Sequence, residues 1–110
     1  MRETIARFRH LLVARMAVLE EEVRLAEALY RERHGDYSQV TLENTAIFER
    51  PARDIRRTIE TLQSMDLEQV ESVEQFKEAV LAMLQRLYDE RAVLRSAVRI
   101  LMECVRHMRC

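Results

Sequence analysis

Near the C-terminal end of this 110-residue sequence, Cys104, His107 and Cys110 follow one another in E103-C-V-R-H-M-R-C110, residue types and spacing that suit metal ligation. Thiolate sulfur and imidazole nitrogen are the donors of tetrahedral zinc sites, which take four ligands when structural. On a helix, Cys104 and His107 stand one turn apart and can share an ion. Cys110 is displaced from Cys104 by roughly 120° and 9 Å, too far for the same tetrahedron. A fourth donor has to come from elsewhere, and His34, at the end of the first predicted helix, is the candidate, with Glu103 adding a Glu-x3-His pair. The sequence thus nominates Cys104, His107 and His34 as metal ligands. The competing reading is structural: Cys104 falls on an apolar line, where a free cysteine is a small hydrophobe. No second closely spaced Cys/His pair occurs in the chain, so the structural reading is favoured. Two cysteines six apart on a helix lie about 9–10 Å from each other at Cα, beyond disulfide reach, which suggests a reduced, cytoplasmic setting.

The second constellation is R50-P-A-R-D-I-R-R57. Arg50, Arg53 and Arg57 form one helical stripe and a candidate anion site, since guanidinium groups grip carboxylates and phosphates in bidentate fashion. The segment resembles the opening of the second helix in the all-helical chorismate mutases, a likeness of about eight residues. That resemblance implies a pocket containing Asp54 and Arg57 for a dicarboxylate substrate. The sequence departs from the family at Thr58, where those enzymes carry a glutamate, and in lacking a lysine late in the first helix. The alternative is a solvated face in which Glu49–Arg53 and Arg56–Glu60 are four-apart ion pairs. Solvated pairs are favoured, and no catalytic residue is assigned.

Other chemistries find less support. The net charge is −1, and the arginines lack interleaved aromatics, so no nucleic-acid partner is expected. A single glycine leaves no phosphate loop and no nucleophile elbow, and His-Glu-x-x-His is absent. No cofactor is called for. The longest apolar run, Ala79–Leu84, is far short of the roughly 20 residues that span a bilayer, so no membrane partner is expected either. The arginine-rich start, M-R-E-T-I-A-R-F-R-H, has a presequence's look, but its pattern continues unbroken into Glu20–Glu22 and reads as part of the domain.

The elements that would hold these residues are helices. One glycine, one proline and 48% apolar residues favour continuous helix in a single domain covering 1–110. Ile5, Phe8, Leu12, Leu19, Val23, Ala26 and Tyr30 recur at helical spacing over residues 4–33, and Leu11, Val18 and Leu25 widen the stripe. Gly35 is expected to end that helix, with Ser38 and Thr41 as caps for the next. The second helix, about 42–64, should kink or break at Pro51 after a short piece ending near Glu49. Ser72 and Gln75 form a capping box for a third helix over 72–108. In it Val73, Val80, Leu87, Leu94, Leu101 and Met108 repeat every seven residues, the spacing of a helix–helix seam. The companion position reads Phe76, Met83, Glu90, Ala97 and Cys104, with Glu90 either in a polar layer or at the seam's edge.

The expected fold is all-α, a long–short–long three-helix antiparallel bundle resembling a coiled coil. Helices of about 45 and 54 Å exceed the roughly 34 Å diameter of a compact chain this size. The broken middle helix is too short to cover both apolar stripes, so a second copy is expected to cover the rest. The predicted interface residues are Leu12, Leu19, Val80, Leu87, Leu94 and Leu101. On this reading the protein is a non-enzymatic, bacterial-type homodimeric interaction module, an adaptor, scaffold or export-chaperone-like protein. Its further partner would be another protein, bound as an amphipathic helix in a groove. Metal or redox function at the Cys/His cluster is the alternative, and a mutase-like enzyme comes third.

Overall fold

The computed structural model describes the backbone of residues 1–34 and 39–108 and the side chains of residues 1–33 and 49–108. The fold is all-α: four helices, with no strand among the described residues. The Gly35 cap and the caps offered by Ser38 and Thr41 fall outside the described set.

Helix α1, Arg2–His34, is unbroken, as expected of a segment without glycine or proline. Glu3 in its first turn complements the positive end of the helix dipole. Its inward line is Ile5, Leu12 and Met16, continued by the buried carboxylates Glu20 and Glu27. Phe8, Leu19 and Val23 flank that line half-buried. Leu11, Val18 and Leu25, expected to widen the buried stripe, are instead exposed.

Helix α2, Gln39–Ser64, continues through Pro51, so of the expected kink or break, a break in the helix does not occur. Proline in a helix interior costs about 3 kcal/mol through the lost amide bond and ring clash. Here Pro51 and Ala52 are buried against the rest of the protein, with Ile55, Ile59 and Leu62 continuing the same face. Tertiary packing of that face overrides local preference. Arg9 donates to the carbonyl oxygens of Gln63 and Met65, at 3.4 and 2.8 Å, and Arg2 pairs with Glu68 at 2.7 Å. The start of α1 therefore meets the end of α2, and the two helices form an antiparallel hairpin.

The connection contains a 3-10 turn, Leu67–Gln69, capped by Asp66, whose Oδ1 accepts from the Glu68 amide at 3.0 Å. Ser72 caps α3, accepting at Oγ from the Gln75 amide at 3.0 Å, while Gln75 Oε1 accepts from the Glu71 amide at 2.6 Å. The expected capping box is present, displaced by one residue on its return bond.

The single helix expected over 72–108 is two helices, α3 at Val73–Glu90 and α4 at Arg95–Arg106, separated by extended Arg91 and a 3-10 turn, Ala92–Leu94. Lys77 Nζ donates to the carbonyls of Arg106 and Met108 at 3.0 and 3.2 Å, so the end of α4 returns to the start of α3. The seven-residue repeat is genuine, but its partner helix is its own second half. Val73, Val80 and Leu87 pack into one core with Leu94, Val98 and Leu101. Two hairpins thus form an elongated body of 52 × 20 × 18 Å. The long–short–long plan is accordingly replaced by four helices, because folding back shelters the seam within one chain.

Candidate functional site

At the C-terminal cluster, the α4 end lies against the N-terminal half of α1. Arg15 Nη1 donates to the half-buried Cys104 Sγ at 3.3 Å. His107 is exposed where α4 ends, its Nε2 3.6 Å from Glu103 Oε2, and Glu103 also pairs with Arg106 at 2.8 Å. His34 stands nineteen residues beyond Arg15 on the same helix, roughly 28 Å away. The hairpin therefore separates His34 from Cys104 and His107 instead of joining them, because α4 runs antiparallel to α1. The side chain of His34 and all of Cys110 lie outside the described residues. Among the described residues no three His, Cys, Asp or Glu side chains converge on a common point.

The arginine segment divides. Arg50, Arg53 and Arg57 are all exposed on α2, and Arg53 pairs with Glu49 at 2.6 Å as expected. Arg56 turns the other way: instead of meeting Glu60 it reaches Glu20 of α1 at 2.5 Å, and Arg24 meets the same carboxylate at 3.0 Å. Burial pushes the Glu20 carboxyl up, but the hydrogen bonds from Arg56 and Arg24 outweigh that and hold it below the usual carboxylate value. Glu27 is similarly paired with Arg31 at 2.7 Å. Asp54 and Arg57 do share a cleft of about 350 Å³, where Thr58 joins them from α2 and Met83, Arg86 and Glu90 face them from α3. The Asp54 carboxylate is taken up by Arg91, whose guanidinium donates to Oδ2. That bond pins the α3–α4 turn onto α2. The Thr58 hydroxyl proton is likewise committed to the Asp54 carbonyl at 2.8 Å. Glu90 is exposed at the cleft's edge, so of the two readings of the companion seam the edge position holds.

The six residues expected at a dimer interface lie inward. Leu12, Val80, Leu87, Leu94 and Leu101 are buried in the chain's own core, and Leu19 packs half-buried against it. Val80, Leu87, Leu94 and Leu101 are covered because α4 folds back over α3, and Leu12 lies in the same core, while Leu19 still lines the cleft between α1 and α4.

A different surface is left uncovered. Leu11, Val18, Leu25 and Leu29 line up along α1, at steps of seven, seven and four residues, and Ile100 and Val93 recur seven apart beside α4; all six are between 51% and 62% exposed. The shallow groove between the two helices holds two clefts. One, of about 310 Å³, lies among Phe8, Leu11, Arg15, Cys104 and Met108; the other, of about 180 Å³, among Arg15, Val18, Glu22, Ala97 and Ile100. Arg15 and Glu22 interrupt the line on α1. Arg15 has no carboxylate partner and Glu22 no cationic one among the described residues. Sequence inspection assigned Leu11, Val18 and Leu25 to the buried stripe. The available signal was that α1 carries two interleaved apolar lines, 5/12/16 and 11/18/25, more than one neighbouring helix can cover. No protein-family model, curated protein or solved structure matches this chain.

Proposed function

We propose that the protein is a non-enzymatic helical interaction module, adaptor-, scaffold- or chaperone-like, that works as a homodimer. The observation that carries the reading is the row Leu11, Val18, Leu25 and Leu29, each more than half exposed on one unbroken helix. Isolated exposed leucines are ordinary, whereas a row of exposed apolar residues on one helix face, interrupted by Arg15 and Glu22, marks an interaction surface. A helical face of this kind is met by an amphipathic helix laid along it. The second copy's own α1 is such a helix. Sedimentation velocity tests the proposal: the wild-type protein is a concentration-dependent dimer, and Leu25→Asp, which alters an exposed side chain, shifts it to monomer without loss of helicity. A wild-type monomer at every concentration contradicts it.

One observation favours a second reading, the small helical enzyme: Asp54 and Arg57 line one cleft beside Arg86. Against it, Asp54 is occupied by Arg91. A spectrophotometric assay of chorismate consumption, with Asp54→Ala as control, decides; no turnover above the uncatalysed rate removes it.

A further inference from the structure

We infer that the second copy lies antiparallel on the first, with Val18 at the two-fold axis and the partner's Glu22 set against Arg15. This rests on the homodimer reading and adds its geometry. The argument comes from the order of residues along one line of α1, from half-buried Phe8 through the exposed Leu11, Arg15, Val18, Glu22, Leu25 and Leu29. Read from either end about Val18, this series has the same apolar pattern and opposite charge. Antiparallel pairing sets Phe8 against the partner's Leu29, Leu11 against the partner's Leu25, and Arg15 against the partner's Glu22. A two-fold axis then repeats each contact, which is the self-complementarity an isologous interface requires.

Parallel pairing fails on the same residues. It would face Arg15 with the partner's Arg15 and Glu22 with the partner's Glu22, like charges across a desolvated seam. Among the described residues neither side chain has an ion-pair partner in its own chain to offset this. The wider charge distribution agrees. From Arg2 to Met16, α1 carries four arginines and one glutamate; from Ala17 to His34 it carries five glutamates and three arginines. Laid head to tail, the basic half of each helix meets the acidic half of the other, and the helix dipoles oppose as well. Length also fits: α1 spans about 50 Å, close to the 52 Å long axis, so the whole flank is available.

Disulfide trapping tests the orientation. In a Cys104→Ala, Cys110→Ser background shown by sedimentation to remain dimeric, Leu11→Cys and Leu25→Cys chains are oxidised separately and as a mixture. The expected result is a mixed 11–25 disulfide in the mixture and little self-linking of either alone. Self-linked 11–11 and 25–25 products from a stable dimer overturn the orientation while leaving the dimer intact. A background protein that is monomeric, like the wild type, overturns both. Charge exchange provides an independent arm: Arg15→Glu or Glu22→Arg alone weakens the dimer roughly tenfold, and the double exchange restores it. A double variant no tighter than the singles, with thermal stability unchanged, overturns the proposed pairing.

Discussion

Leu11 and Leu12 are adjacent, chemically identical and equivalent by any propensity scale, yet the fold gives them opposite fates. Leu12 is 1% exposed and Leu11 51% exposed. Truncating Leu12 to alanine removes core contacts and leaves a cavity, at a cost of about 3–5 kcal/mol. Truncating Leu11 costs the subunit less than about 0.5 kcal/mol, the usual limit for surface positions. The dimer should reverse the ranking in a different observable. Burying a whole leucine contributes about 1.5–3 kcal/mol, so covering the exposed half of Leu11 contributes about 0.8–1.5 kcal/mol per copy and about 1.5–3 kcal/mol per dimer. Leu11→Ala should therefore raise the dimer dissociation constant roughly ten- to a hundredfold. The assay is urea denaturation at a protein concentration low enough to hold the monomer, paired with sedimentation equilibrium at high concentration. Equal losses of monomer stability for the two variants would refute the assignment of α1's inner and outer faces. An unchanged dissociation constant for Leu11→Ala would refute the role given to the outer one.

Other outcomes follow from the same packing. Glu20 has its folded-state titration lowered, so its contribution to stability is full above its ordinary value of 4.5 and is lost as pH falls through the lower folded value. Glu20→Gln should flatten the acid limb of the stability profile, measured by denaturation between neutral and acid pH; an unchanged acid limb contradicts the pairing with Arg56 and Arg24. Asp54→Ala, which frees Arg91 and the α3–α4 turn, should cost about 1–3 kcal/mol by denaturation, with the loss matched by Arg91→Ala. Pro51→Ala should stabilise the protein by about 1–2 kcal/mol, since alanine restores a helical amide and loses only part of a buried ring. A net loss would show that the ring's packing outweighs the missing hydrogen bond.

The helical class, the uninterrupted first helix and the Ser72 cap were legible because each rests on local chemistry. Composition, capping residues and the absence of breakers act over a few residues, and distance along the chain does not dilute them. The turn at Arg91 was not legible. No glycine or proline marks it, and the repeat from Val73 to Met108 continues across it, with only the companion position turning polar, at Glu90. A heptad pattern states that a seam needs a partner but does not say which helix supplies it. What holds the turn is long-range or crosses the turn itself: Arg91 to Asp54 from α2, and Arg95 and Arg99 gathered on Tyr88, with guanidinium carbons 5.4 and 6.0 Å from its ring centre. Pro51 misled for the opposite reason. Its local preference is strong, but the buried face from Ala52 to Leu62 is stronger.

The candidate site shows the same division. Leu11, Val18 and Leu25 were visible as apolar and helically spaced, but whether such a line faces inward depends on where α2 and α4 lie. Arg15 and Glu22 are the charged residues within that line. Their meaning changes once the line that contains them is known to be the uncovered one. His34 and Cys104 could be joined on paper only while α4 was taken to run on from α3, and the hairpin sets them against different halves of α1.

The most direct test of the central claim is hydroxyl-radical footprinting as protein concentration is raised through the dimerisation range. Leu11, Val18, Leu25 and Leu29 should lose reactivity together, while Tyr88, outside the stripe, stays constant. Reactivity of those four side chains that is independent of concentration, in a protein that nonetheless dimerises, would place the interface elsewhere and contradict the account.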